Sequence, residues 1–267
     1  KWPGNKHRWR LDCAMTNKKL KIVGLIPTRL NSTRLPQKAL MEINKIPLVV
    51  HTYKRAKLSK LLDEVIICCD DEIILKKIKK FGAKGVMTSK HHKNGTERIF
   101  EAYKKINKKF DLIVDIQGDE PLVSPYHIDQ VINFHIKNLK SDIILPTLKV
   151  KSKNNTNIIK VIKDINNFVL YLSRGNIPFE YKDVTTNVDK HLSVISFLPK
   201  ALEKFALHKK TFLEKIEDIE LLRALEIGLK IKTLSLKGDS FSVDVLKDFN
   251  KASKKMVNDK FFKLYKL

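Results

Sequence analysis

Between Leu20 and about Val150 the chain alternates short β-branched apolar runs with amphipathic stretches, and this alternation limits its fold more than any other feature. Runs near 20–27, 64–69, 84–87, 111–116 and 142–148 read as strands, and the segments near 47–60, 71–81, 96–108 and 125–138 as helices. In the second of these helices Ile73, Ile74, Ile78 and Phe81 share one face. Such alternation predicts an α/β fold: a mainly parallel twisted sheet with helices on both faces.

The middle of the chain departs from that rhythm. Ile158–Lys163 and Phe168–Leu172 flank the polar turn Asp164-Ile165-Asn166-Asn167, which predicts a β-hairpin. Lys182–Asn187 reads as a surface loop and His191–Leu198 as a further strand. Residues from about 156 to 198 are thus expected to form a small hairpin lobe beside the sheet, where an interface would lie. Helices follow at 199–208 and 213–228, then a strand at 231–236, a last helix at about 245–257 and a tail at 258–267. Residues 1–14 lack the apolar h-region of a secretory signal and precede Met15. They are expected to be disordered, with one domain over 15–257.

Composition narrows the function. A net charge of +24 raises the possibility of nucleic-acid binding, but the lysines are spread over nearly every helix with no aromatic platform among them. Nucleic-acid binding is therefore disfavoured, although the charge would draw in anionic substrates. No apolar run approaches the ~20 residues that span a bilayer, so no membrane segment is expected. Cys13, Cys68 and Cys69 are too few for a disulfide framework and match neither CxxC nor metal spacing. They fit a reducing, cytoplasmic setting.

Three loops that follow strands carry the chemistry. The first runs Gly24-Leu25-Ile26-Pro27-Thr28-Arg29-Leu30-Asn31-Ser32-Thr33-Arg34-Leu35-Pro36-Gln37-Lys38, and puts three cations, Arg29, Arg34 and Lys38, where open α/β sheets bind phosphorylated ligands. The second, Gln117-Gly118-Asp119-Glu120-Pro121, sets Asp119 at a strand's carboxyl end. There it is either an ordinary turn acid or a ligand for Mg2+, which takes few protein oxygens and bridges phosphates. The third, Asn94-Gly95-Thr96-Glu97-Arg98, is a helix start with a capping-box pattern. Its free N–H groups, with Arg98 beside them, are also suited to an anionic ligand. Asp244, in Phe241-Ser242-Val243-Asp244, is either an N-cap or a second metal ligand opposite Asp119. Dinucleotide-binding, P-loop, GxSxG and HExxH patterns are all absent.

Taken in order, IPTRLNSTRLPQK, NGTERI, VDIQGDEP, KVIKD with YLSRGNIP, LEKIEDIELLRALEIG and FSVD resemble the 3-deoxy-D-manno-octulosonate (Kdo) cytidylyltransferases, or CMP-Kdo synthetases, over about residues 20–257. The resemblance implies a nucleotide-diphospho-sugar transferase-like fold, a homodimer, and transfer of CMP from CTP to the anomeric hydroxyl of Kdo for lipopolysaccharide synthesis, with release of pyrophosphate. It implies that Arg29 and Lys38 hold the triphosphate with Ser32 and Arg34 in the same loop, and that Asp119 and Asp244 ligate Mg2+. Gln117, Gly95 and Arg98 would face the nucleotide–sugar site, and His191 and Glu220 the sugar.

Three motifs depart from the family pattern. The usual LPGK reads Leu35-Pro36-Gln37-Lys38, so Gln37 stands where a glycine is expected. His191-Leu192-Ser193-Val194-Ile195 replaces H-x-G-x-Y, and Leu221 stands where LEQLR carries glutamine. The triphosphate cations and both acids are kept, whereas the acceptor is open to a modified sugar acid such as the 8-amino form. A catalytically silent binding module of the same fold is the rival from another class.

Overall fold

The computed structural model describes residues 19–32, 34–151, 155–179, 181 and 187–266. The expectations for residues 1–14, for Cys13 and for most of the 182–187 loop lie outside that range. In chain order the elements begin with β1 (Ile22–Pro27), a 3₁₀ turn (Lys38–Leu40), β2 (Glu42–Ile43), β3 (Ile46–Pro47), α1 (Leu48–Ala56), β4 (Glu64–Cys69) and α2 (Glu72–Lys79). They continue with β5 (Gly85–Met87), α3 (Gly95–Ile106), β6 (Leu112–Ile116), α4 (Pro125–Ile136), β7 (Ile143–Val150), β8 (Lys160–Lys163) and β9 (Val169–Ser173). The remainder are β10 (Val188–His191), β11 (Val194–Phe197), α5 (Pro199–Leu207), α6 (Phe212–Glu217), α7 (Glu220–Glu226), β12 (Ile231–Leu236), α8 (Leu246–Val257) and a 3₁₀ turn (Phe262–Leu264).

One ten-stranded sheet runs β5-β4-β1-β6-β11-β7-β10-β8-β9, with β12 paired to β7. Strands β5, β4, β1 and β6 are parallel, as is the β7–β12 pair. Strand β11 lies antiparallel between β6 and β7. Strand β1 is buried along its whole length because it is covered from both faces. Ile22 and Ile26 pack with Val49 and Val50 of α1 and Val131 of α4, while Val23 and Leu25 pack with Ile99 of α3 and Phe205 of α5. The period of two in side-chain direction is what lets one strand serve two cores.

The hairpin β8–β9 forms at the expected residues, but it is the edge of the same ten-stranded sheet, paired through β10, rather than a lobe beside it. Its turn also reaches β12, since Thr233 N donates to Asn167 O at 2.8 Å. The strand expected at 191–198 is interrupted: β10 and β11 share one edge of β7 and part at Leu192–Ser193. Pro146 of β7 faces that break. It accepts from Leu192 N at 3.0 Å but has no N–H to return, so the ladder stops there.

The helix expected at 213–228 is likewise two helices, because Asp218 takes a left-handed conformation (φ 50°) and turns the chain. The C-terminal segment is bound to the fold. Arg55 of α1 pairs with Asp259 at 2.7 Å, and the Tyr265 hydroxyl lies 3.1 Å from His51 Nδ1. A small third core of Ile43, Leu48, Val243, Ala252 and Met256 ties α8 and the segment before it to α1.

Candidate active site

The carboxyl ends of β1 and β6 open side by side. Gly118 makes this possible: a Cβ there would lie 2.7 Å from Pro27 O, so only glycine lets the two loops touch backbone to backbone. The hydroxyl of Thr52 on α1 donates to Gly118 O at 3.2 Å. From the far end of the chain, Val243 N donates to Asp119 O at 2.9 Å, and this bond carries Asp244 to Asp119.

Between the two acids stands Lys38. Its Nζ is 2.7 Å from Asp119 Oδ2 and 3.5 Å from Asp244 Oδ1, and Arg34 Nη2 donates to Asp244 Oδ1 at 2.8 Å. Asp244 is free for this because it is not the cap of α8. Val245 is the N-cap residue, and Asp248 Oδ2 accepts from the N–H groups of Asp244 and Val245. Gln37 precedes Lys38 in the left-handed region (φ 51°, ψ 28°), which accounts for glycine at this place in the LPGK pattern.

Two adjoining cavities meet at these residues. A smaller one of about 140 Å³ is lined by Thr28, Arg29, Ser32, Arg34, Lys38 and Asp119, among others. The larger, about 650 Å³, shares Arg34, Gln117 and Asp119 with it, and extends to His191, Glu220, Arg174 and Lys190. That volume falls within the ~300–1,000 Å³ of small-molecule sites. The sequence-predicted residues Arg29, Ser32, Arg34, Lys38, Gln117, Asp119, His191, Glu220 and Asp244 therefore all line this double cavity.

Two of the predicted residues do not. Arg98 is 3 % exposed and points into the wall, where it donates to Thr88 Oγ1 at 2.7 Å and Ser89 O at 3.1 Å and pairs with Asp70 at 3.4 Å. Asp70 in turn accepts from Leu30 N at 2.9 Å, so Arg98 braces the basic loop from behind. Gly95 also lines neither cavity. Its N–H and that of Thr96 donate to the Glu220 carboxylate at 3.4 and 3.3 Å, and Thr96 Oγ1 donates to it at 2.6 Å. The start of α3 is thus answered from inside the protein, by Glu220 and by the Asn94 cap that accepts from Glu97 N at 2.8 Å. Arg223, 1 % exposed, secures this corner by pairing with Glu214 at 2.6 Å and Glu97 at 3.0 Å.

The larger cavity also holds groups that sequence reading missed. Asp115, two residues before Gln117 and on the same strand face, is 1 % exposed and accepts from Gln117 Nε2 at 3.0 Å. Burial pushes its carboxyl well above the usual carboxylate range, helped by the nearby Glu220 and Asp119. Glu120 and Glu220 are also raised by burial. His191 is pushed down to about 4 by burial, so its imidazole is neutral near pH 7. The i, i+2 spacing in VDIQ was the available signal for Asp115, and the Arg in YLSRGNIP the signal for Arg174.

Asp119 and Asp244 suit Mg2+ by their chemistry. They are hard oxygen donors from two loops that converge beside a basic cavity, and Mg2+ typically uses one or two carboxylates and completes its shell with water and phosphate.

A basic loop and a carboxylate at adjacent strand ends of an α/β sheet form a crevice suited to a phosphorylated ligand. The comparisons with known proteins identify the class more closely. A family model described as cytidylyltransferase matches residues 23–231. A 3-deoxy-manno-octulosonate cytidylyltransferase of Thermodesulfovibrio yellowstonii is 38% identical over 245 residues, 86% of this chain and 96% of that protein. An 8-amino-3,8-dideoxy-manno-octulosonate cytidylyltransferase of Shewanella baltica is 37% identical over 241 residues, 88% of this chain and 98% of its own length. A solved CMP:2-keto-3-deoxy-manno-octonic acid synthetase complexed with CTP superposes with a TM-score of 0.84 at 26% identity, covering 89% of this chain and 98% of its own. A 4-diphosphocytidyl-2C-methyl-D-erythritol synthase from Anaerococcus prevotii shares the fold at a TM-score of 0.60 and 17% identity. The chain belongs to the cytidylyltransferase family, in its octulosonate branch.

Proposed function

We propose that this chain transfers CMP from CTP to the anomeric hydroxyl of 3-deoxy-D-manno-octulosonate, releasing pyrophosphate. The observation that carries the reading is the convergence of Asp119 and Asp244 on Lys38 beneath the basic loop, at the junction of a small polar cavity and a larger one. The smaller cavity suits a triphosphate. Arg29, Arg34 and Lys38 would neutralise it, with the Ser32 hydroxyl in the same loop.

The acceptor is itself an anion. Its carboxylate would find Arg174 and Lys190 in the larger cavity, while Gln117, His191 and Glu220 face its hydroxyls. In the reaction the acceptor oxygen forms a bond to the α-phosphorus and the bond from that phosphorus to the β-bridging oxygen breaks. The hydroxyl proton leaves to solvent and pyrophosphate departs with the bridging electrons. Transfer of this kind depends on in-line positioning and charge neutralisation more than on covalent help. Mg2+ held by Asp119 and Asp244 would supply Lewis-acid polarisation of the phosphoryl oxygens and acidify the hydroxyl. With a carboxylate pair at that position, Lys38 would turn from the acids to the phosphates when CTP enters.

A modified acceptor is the second reading, favoured by one observation. Ile195 and Leu221 line the larger cavity where the family pattern has Tyr and Gln, so two hydrogen-bonding groups are replaced by apolar ones. An 8-amino acceptor, named for the Shewanella relative, is the form to test first.

The chain would act as a homodimer, in the cytoplasm, where CTP is available, and feed lipopolysaccharide assembly. Leu170, Phe179 and Tyr181 on and beside the hairpin, 61 %, 82 % and 90 % exposed, support burial of that edge in a second copy. No helix of the described residues is long and apolar enough to cross a membrane. Pyrophosphate release with CTP, Mg2+ and a panel of octulosonates tests the proposal. Turnover of Kdo or its 8-amino form is expected, and a wild-type chain inert toward the whole panel would defeat it.

A further inference from the structure

We propose that Lys160, which touches no predicted substrate group, is a positioning residue for the acceptor: it staples Arg174 to the loop around Asn155 so that the Arg174 guanidinium stands ready for a carboxylate. The inference rests on the cytidylyl-transfer reading above and goes beyond it.

Lys160 is 1 % exposed, an unusual place for an ammonium. Its Nζ donates to Arg174 O at 2.7 Å and to Asn155 O at 2.8 Å. Both residues line the larger cavity, so one buried cation joins two parts of its wall. Burial lowers the Lys160 pKa and the Glu217 charge opposes that shift. Glu217 works on the same backbone from the other side. Its carboxylate accepts from Arg174 N at 2.9 Å and Ser173 Oγ at 2.6 Å, and its carbonyl from Arg174 Nε at 3.0 Å. Arg174 Nη1 and Nη2 donate to Thr156 O and Asp218 O, each at 3.2 Å.

This arrangement fixes Arg174 without neutralising it. Among the described residues the guanidinium's own partners are carbonyl oxygens, and three of its five N–H donors are used. Among the described residues two donors remain unused and no carboxylate pairs with the guanidinium. A carboxylate, which takes a guanidinium through paired bonds, is the chemistry that matches. Since Lys160 also holds the Asn155 loop, its loss would free the guanidinium and the cavity wall together, and a pre-set contact would become one formed on binding.

The test is steady-state kinetics of pyrophosphate release by Lys160→Met, varying CTP and the octulosonate separately. The expected result is a KM for the sugar acid raised by about tenfold or more, with the KM for CTP within about twofold and kcat at saturation largely kept. In an Arg174→Met background the same substitution should add little, since the group it positions is already gone. If both KM values rise together, or neither moves, the positioning role is overturned. Should Lys160→Met fail to fold, Glu217→Gln carries the test. It is expected to raise the sugar-acid KM selectively, and an unchanged KM overturns the proposal. Wild-type turnover separates the two levels: an inactive wild type defeats the transfer reading, and an active one without the KM split defeats this inference alone.

Discussion

Lys38 Nζ lies 2.7 Å from Asp119 Oδ2 and 3.5 Å from Asp244 Oδ1, so a single ammonium serves as counter-ion to two carboxylates drawn from opposite halves of the chain. All three side chains are partly shielded from water, at 15 %, 27 % and 32 % exposure, which keeps their interaction from being fully screened. The same two acids would hold Mg2+, and the same cation would hold phosphate.

Replacing Lys38 separates those roles. Lys38→Met should bind Mn2+ more tightly than wild type without nucleotide, by about tenfold, because the ammonium between the acids is gone and only Arg34 remains, on Asp244. Turnover should fall by about 10²–10³, the scale for losing one group that stabilises developing charge. Asp119→Asn should lose both metal binding and turnover. Calorimetric Mn2+ titration beside pyrophosphate release checks this, and unchanged Mn2+ affinity in Lys38→Met would show that the acids do not share a metal.

Arg98→Met should act on CTP rather than on the sugar. It leaves Asp70, 8 % exposed, without its cation, and Asp70 holds Leu30 N in the phosphate loop. Breaking a buried pair from one side costs about 3–5 kcal/mol. Denaturant unfolding should show that loss, with the KM for CTP rising more than that for the octulosonate. Asp70→Asn, which keeps a hydrogen-bond acceptor for Leu30, should be milder.

Gln37→Gly should stabilise or be neutral. Gln37 occupies the left-handed region at a cost of about 1–2 kcal/mol, which glycine avoids. The greater freedom of glycine in the unfolded chain returns about 0.4–1 kcal/mol of that gain. An unfolding midpoint lower than wild type would mean that the Gln37 side chain has a favourable contact.

His135 gives stability a defined acid dependence. It is fully buried between Ser196 Oγ at 2.7 Å and Ser141 O at 3.1 Å, and burial pushes its pKa from 6.5 down to about 4. The unfolded chain takes up the proton first as pH falls, so the contribution is complete above 6.5 and is lost between 6.5 and 4. The unfolding free energy of wild type relative to His135→Asn should drop by up to about 3 kcal/mol across that window. A constant difference would mean the imidazole titrates normally.

Asp115 runs the other way. Burial raises its carboxyl, so the folded state keeps a proton that the unfolded chain releases, and stability is lost as pH rises above the ordinary aspartate value of 3.8. Asp115→Asn should therefore gain stability relative to wild type between pH 4 and pH 8, as read from paired denaturant curves.

Much of the frame was legible in the sequence. The strands at 64–69 and 231–236 fell where the apolar runs placed them, and α3, α4 and α8 began within a residue of their expected starts. These elements are fixed by local hydrophobic period and by caps such as Asn94, which neighbours in sequence supply. The strand over 191–198 and the helix over 213–228 were each read as one element because hydrophobic continuity hides what breaks them. In the first case the cause is a proline on a different strand, and in the second a single left-handed residue, Asp218.

The site divides along the same line. Residue order alone marked the basic loop, the QGDEP turn and FSVD, because each must carry its own chemistry. What became of Arg98 and Gly95 was decided by partners elsewhere in the chain. Asp70 drew the guanidinium into the wall, and Glu220 took the helix N–H groups that a ligand was expected to meet. Charge and hydrogen-bonding capacity are written in the residue type. Whether they are spent on the protein or kept for a ligand depends on which groups the folded backbone brings within about 3 Å, a distance set by packing between segments far apart in the chain.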